Sequence, residues 1–313
     1  MSEFDLIDAL LADEAPLPSW VSMGPGDDAA VLTLPPDSEW VLSTDTLVEG
    51  RHFLPDTPPD LLAYRALAVN LSDLAAMGAT PSGFLVALVA PELDVAWCRR
   101  FSAGLRAASG SSGARLVGGN LARGPLAVTV TVTGTVPRGC ALLRSGARVG
   151  DAIYVSGSIG GALAARRLLD TDAASRSGLS TLSLEGVEEG LRPYLLPAAR
   201  VALGQRLRGI ASACIDVSDG LLADLGHLCN RSGVAAQIWL ESLPVAEVDP
   251  LEAVVAGDDY ELLFTVPAGR SIDSAGSDLG LTHIGQIEPG ASVRLLAADG
   301  SEVAVARRGW SHF

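Results

Sequence analysis

The chain has 313 residues, 48% hydrophobic and only 19% charged, which excludes a disordered chain and supplies enough apolar material for two domain cores. Its net charge of -15 disfavours nucleic acid and anionic membranes as partners, while leaving an anionic substrate possible if divalent metals bridge the two. All 22 basic side chains are arginine, and without lysine there is no Walker-A phosphate loop, no protein-kinase site and no Schiff base.

The N-terminus, Met1-Ser2-Glu3-Phe4-Asp5, is acidic where a signal peptide would be basic, and no apolar run is long enough to span a membrane. A cytoplasmic protein is expected. Strands are predicted over 29–34 and 40–43, separated by the turn Pro35-Pro36-Asp37-Ser38. A long apolar helix follows over 61–77, closed by Gly78. Residues 84–90 have strand composition. Asp94 then caps a helix in which Trp97, Phe101 and Leu105 recur every four residues. After a small-residue loop at 109–113, the alternation of 126–136 places Val128, Val130 and Val132 on one face of a strand and Thr129, Thr131 and Thr133 on the other.

An Arg- and Gly-rich shift over 138–150 marks the expected boundary, giving domains 1–140 and 141–313. The second half reads as a strand at 151–156, a helix at 161–169 and a mobile surface segment at 170–186. A helix at 198–207, a strand at 213–217, a helix at 221–232 and short strands with turns complete it. This mixture predicts an α/β (α+β) fold in two domains. The four cysteines, Cys98, Cys140, Cys214 and Cys229, form no C-x-x-C pair and read as buried free thiols.

Aspartates recur beside Gly, Ser or Thr in a context that reads as strand ends: Gly26-Asp27-Asp28, Ser43-Thr44-Asp45, Asp216-Val217-Ser218-Asp219-Gly220 and Gly257-Asp258-Asp259. One such pair is ordinarily an Asx turn or a helix cap. Four of them suggest convergent carboxylates, whose oxygen-only donor set suits Mg²⁺. Asn70 and Asp73, three residues apart in an apolar helix, share a face, and a carboxylate buried there needs a cation or several donors. Gly118-Gly119-Asn120 would let backbone approach a phosphate, or is a simple turn. Arg144 offers a fork for phosphate, or is an ordinary linker arginine. His52 carries no assignment from spacing alone.

Taken together, the strings resemble the thiamine-monophosphate kinase family, within the superfamily of aminoimidazole ribonucleotide synthetase. The matching segments are GDDAAV (26–31), STDTLVEGRHF (43–53), AVNLSDLAAMGATP (68–81), RSGARVGDAIYVSG (144–157), SACIDVSDGLLADLGHL (212–228), GDDYELLFT (257–265) and GWSHF (309–313). The resemblance implies transfer of the γ-phosphate of ATP to thiamine monophosphate, with several Mg²⁺ ions. It implies an N-terminal mixed sheet with helices that pairs in a homodimer, and a C-terminal α/β sandwich. By motif, Asp27, Ser43, Thr44, Asp45, Asp73, Asn120, Asp216 and Asp219 are implied metal ligands. Gly119, Arg144 and Ser218 are implied ATP contacts, and His52, Asp258 and Trp310 implied contacts of the thiamine phosphate.

Two positions depart from the family pattern. Asn120 stands where the family has Asp, keeping one oxygen but losing the charge. Asp258 stands where Glu is common, one methylene shorter. Two other readings follow: a superfamily relative that uses ATP to activate a different substrate, and a nucleotide- or thiamine-phosphate-binding protein weakened at Asn120.

Overall fold

The computed structural model describes residues 3–12, 14, 16–25, 29–110, 112–171, 178–272, 280–305 and 309–310. It divides into two compact units, the first formed by 1–74, 80–139 and 169–188, the second by 75–79, 140–168 and 189–313.

The first unit begins with α1 (Glu3–Leu11) and a small ribbon, β1 (Val21–Met23) with β2 (Val31–Leu32). The strand expected over 29–34 is therefore only two residues long. Its main sheet contains β3 (Ser38–Val48), β4 (Thr80–Ala90), β5 (Arg115–Arg123) and β6 (Ala127–Pro137), in the order β3-β6-β4-β5. Only the β4–β5 pair is parallel. The alternation of β6 appears as expected: its valines are buried and its threonines half-buried. Helix α2 (Pro59–Ala76) ends before Gly78, whose φ of 67° is the left-handed turn that glycine adopts freely. Helix α3 (Val95–Ser109) starts at Asp94, whose carboxylate accepts the Trp97 N–H at 2.7 Å, and Trp97 stacks on Phe101. It lies close to α2: a Cβ at Gly104 would stand 2.1 Å from the Asp60 carbonyl oxygen. Helix α1 is tied to α3 by Ser102 Oγ donating to Leu10 O at 2.6 Å and by Arg106 donating to Ala12 O at 2.9 Å.

Three expectations change here. The strand read as 40–43 runs over 38–48, so Asp45 lies inside a strand rather than at its end. Gly118-Gly119-Asn120 is not a turn but the middle of β5. The glycines are required there because β4 comes so close that a Cβ at Gly119 would lie 2.1 Å from Val86 O. The segment 170–186 is not a mobile surface where it is described. Leu179 is fully buried, Leu182 O accepts from Arg100 at 2.6 Å, and Leu184 N–H reaches the buried Asp60 carboxylate at 3.3 Å.

The second unit is built on β7 (Ala152–Ser156), β8 (Ala213–Asp216), β9 (Ala235–Trp239), β10 (Leu262–Val266), β11 (Leu281–Glu288) and β12 (Val293–Leu296). Their order is β12-β9-β11-β7-β10-β8, antiparallel except for β9 with β12. Its longer helices are α4 (Gly161–Thr171, beginning in this unit), α5 (Val201–Leu207) and α6 (Leu221–Ser232), beside four-residue helices at Arg192–Leu195 and Pro250–Ala253. Leu221, Leu222, Leu225 and Leu228 of α6 join Ile153, Val155, Ile215 and Leu263 in one core. Leu203 and Leu207 of α5 join Cys214, Leu262 and Phe264 in another. Neighbouring residues of one strand, Leu262 and Leu263, thus enter different cores, as period-two alternation demands. The result is an α/β sandwich. Three of the cysteines are buried thiols, but Cys140 is exposed, because it follows the Arg138-Gly139 turn at the end of β6.

Candidate functional site

In the first unit, β3 and α2 bring together the Ser-Thr-Asp and Asn-x-x-Asp strings. Ser43 Oγ donates to Asp73 Oδ2 at 2.5 Å, and Asp45 N–H donates to Asn70 Oδ1 at 3.0 Å. Asn70 is fully buried and donates its amide N–H to Ala66 O at 2.8 Å. Its side chain is therefore spent on shape: it clamps the helix to the edge strand and fixes the backbone of Asp45. Asp45 itself is exposed and Asp73 half-buried. Thr44 bonds to Val130 O and Thr131 across the strand pair, at 3.1 and 3.0 Å. His52 follows β3 in a turn where its Nδ1 accepts the Val48 N–H at 3.0 Å. Gly119 and Asn120 are exposed on β5, the far edge of the sheet. Three strand spacings, about 14 Å, separate them from β3. By register, Asn120 lies beside Ala87 and shares the face of Thr46 and Thr129, not that of Asp45. Asp27 lies outside the described residues.

In the second unit, β8 ends at the buried Asp216, and the chain turns through Val217–Gly220 into α6. One residue that the sequence reading left unassigned shapes this turn. Asp224, buried in the first turn of α6, accepts the N–H groups of Ser218, Asp219 and Gly220 on one oxygen, at 3.0, 3.0 and 3.1 Å. Burial, then the neighbouring Asp216 and Asp219, push its pKa up to about 7. Its signal was available in the spacing Asp-Gly-x-x-x-Asp, the pattern of a carboxylate folding back on a helix N-terminus. Asp219, Asp224 and His227 present ligand atoms within 4.8 Å of one another.

The turn at 257–260 lies directly on this loop. It precedes β10 rather than following a strand, contrary to the strand-end expectation. Asp258 N–H donates to Ser218 O at 2.9 Å and Tyr260 N–H to Val217 O at 2.8 Å. A Cβ at Gly257 would lie 2.3 Å from Ser218 O, so this stacking needs glycine. Asp258 and Tyr260 both have positive φ, 71° and 52°, strain that the two backbone bonds hold in place. Tyr260 OH bonds Asp258 Oδ1 at 3.0 Å. Behind the turn, Asp259 accepts the N–H groups of Gly160 and Ala162 where α4 begins, at 2.7 and 3.3 Å. Burial raises its pKa to about 7 against these favourable bonds. Buried Glu261 is held by Ser156 Oγ at 2.5 Å and Arg200 Nε at 2.7 Å. Trp310 N–H donates to Asp219 O at 2.9 Å. Asp216, Ser218, Asp219, Asp258 and Trp310 are therefore assembled in one place. Arg144 is exposed at a bend just after Leu143, whose carbonyl oxygen accepts the Cys214 N–H of β8.

Residues 26–136 match the N-terminal domain of AIR synthase related proteins, and residues 148–297 the C-terminal domain. The thiamine-monophosphate kinase of Escherichia coli (strain K12) is 41% identical over 306 residues, covering 94% of this chain and 92% of the relative. The chain belongs to the thiamine-monophosphate kinase family. That of Aquifex aeolicus (strain VF5) is 34% identical over 332 residues and matches 100% of this chain. Among solved structures, the thiamine-monophosphate kinase of Stenotrophomonas maltophilia K279a has a TM-score of 0.81 at 39% identity, covering 97% of this chain and 98% of that one. AaThiL complexed with AMPPCP and TMP has a TM-score of 0.75 at 32% identity, covering 99% and 96%. The hydrogenase maturation protein HypE of E. coli, at 19% identity and a TM-score of 0.76, shares the fold.

Proposed function

We propose that the protein transfers the γ-phosphoryl group of ATP to thiamine monophosphate, giving ADP and thiamine diphosphate. The observation that carries this reading is the likeness, over nearly the whole chain, to thiamine-monophosphate kinases and to AaThiL with AMPPCP and TMP. Both acidic clusters described above are built from family motif segments. The acceptor is a phosphate monoester with a second pKa near 6, so it is already largely ionised at neutral pH. No general base is required, and the obstacle is the approach of two anions.

The donors present fit Mg²⁺. They are carboxylates, an amide oxygen and hydroxyls, with no thiolate among them. Asp27, Ser43, Thr44, Asp45, Asp73, Asn120, Asp216 and Asp219 would hold the ions. Bound Mg²⁺ supplies charge neutralisation and alignment of the in-line transfer. Gly119, Arg144 and Ser218 contact ATP: glycine admits the nucleotide to the backbone, and the guanidinium forks onto phosphate. His52, Asp258 and Trp310 receive thiamine monophosphate, the indole offering an aromatic face to a ring. Region 1–140 serves ATP, metal and dimerisation, and 141–313 is the C-terminal α/β domain. Support for a homodimer comes from the face of the four-stranded sheet that carries Thr44, Thr46, Thr129 and Thr131. Leu42 is 63% exposed on it, and Leu85 39%. No helix among the described residues is long and apolar enough to cross a membrane, and we place the reaction in the cytoplasm.

The test is turnover in Asp45→Asn and Asp73→Asn. Each is expected to lose at least about 100-fold in kcat/KM, by analogy with removal of a charge-stabilising group, with a nearly unchanged melting temperature. Full activity of either at ordinary Mg²⁺ would refute the metal-cluster assignment.

A further inference from the structure

Gly309 and Trp310 come back onto the loop that follows β8. The approach is close: a Cβ built on Gly309 would stand 2.5 Å from the Ala223 Cβ and 2.7 Å from Asp219 O. Neither obstacle can swing aside. One is a backbone carbonyl, the other a methyl fixed to the first turn of α6. At the next residue, Trp310 N–H donates to that same Asp219 oxygen at 2.9 Å. The indole is left half exposed. The neighbouring carbonyl, Ser218 O, takes the N–H of Asp258. Main-chain bonds to residues 218 and 219 thus reach both segments to which a thiamine phosphate contact is assigned.

We infer that Gly309 is a positioning residue for the acceptor substrate. Only a residue without a side chain lets the chain settle on Asp219 and Ala223, and that contact sets the Trp310 N–H bond and the place of its indole. The inference rests on the acceptor role proposed for Trp310. Its consequence is selective: a side chain at 309 disturbs acceptor binding first, because Ser218, the nucleotide contact in this turn, keeps its own bonds to the Asp224 carboxylate and the Asp258 N–H.

The experiment compares wild type, Gly309→Ala and a chain ending at Arg308, with thiamine monophosphate and ATP each varied. Gly309→Ala is expected to raise KM for thiamine monophosphate about tenfold and to change KM for ATP less than about twofold. The shortened chain should reproduce that pattern, since both lose a seated Trp310. A shortened chain with the defect beside a wild-type-like Gly309→Ala would overturn the inference. So would an equal rise in both KM values with a lowered melting temperature, which marks a purely structural role. Wild type without turnover would refute the proposed reaction, and this inference with it. Wild-type turnover with an unaltered Gly309→Ala would refute only the role of Gly309.

Discussion

Replacing Asn70 by alanine tests the clamp between α2 and β3. The side chain is fully buried and makes two hydrogen bonds, accepting from Asp45 N–H and donating to Ala66 O. Each is worth about 1 kcal/mol net, and orphaning the Asp45 N–H adds a desolvation cost. The Ala66 carbonyl loses little, because it remains in the helix ladder. The small void left behind adds to the total, giving a loss of about 2–3 kcal/mol. For a unit of this size that is a fall in melting temperature of roughly 5–10 °C. Catalysis should suffer more than stability, since the backbone of a proposed ligand, Asp45, is released, and misplacement by about 1 Å can cost 10²-fold. Urea or thermal unfolding gives the first quantity, and steady-state turnover at a temperature where the variant is folded gives the second. A variant as stable and as active as wild type would refute the reasoning.

Asp259→Asn reports on the buried carboxyl behind the 257–260 turn. Its pKa of about 7 when folded lies above the unfolded value of 3.8, so the native state holds the proton. That stabilisation is fully present below pH 4 and is lost as pH rises through 7, up to about 4 kcal/mol. The variant should therefore be slightly weaker than wild type at pH 4 and gain on it steadily up to pH 8; parallel unfolding profiles would contradict this. Asn120→Asp restores a charge at the exposed position on β5, and the Mg²⁺ concentration for half-maximal turnover is expected to fall several-fold. An unchanged metal dependence would remove residue 120 from the ligand set.

Much of this architecture could be read from local pattern. α3 carried its cap and its four-residue spacing, and β6 its strict alternation, so both follow from their own residues. β5 did not, because Gly118-Gly119 reads as punctuation unless the closeness of β4 is known. α1 offered little beyond its acidity, and its place depends on bonds to α3. The Ser- and Ala-rich character of 170–186 hid the burial of Leu179 and the pairing with Asp60, contacts more than a hundred residues apart in the chain. The motif aspartates were visible as types and spacings. The groups that hold their backbones were not: Asn70 appeared as half of a polar face, and Asp224 as one more acid. The fit of Gly309 against Ala223 and Asp219 likewise exists only in three dimensions.

A phosphorus NMR time course with purified protein, ATP, Mg²⁺ and thiamine monophosphate tests the central claim most directly. Direct transfer predicts that ADP and thiamine diphosphate resonances grow together, one for one, with no inorganic phosphate. Release of inorganic phosphate without thiamine diphosphate, or an unchanged spectrum, would contradict it.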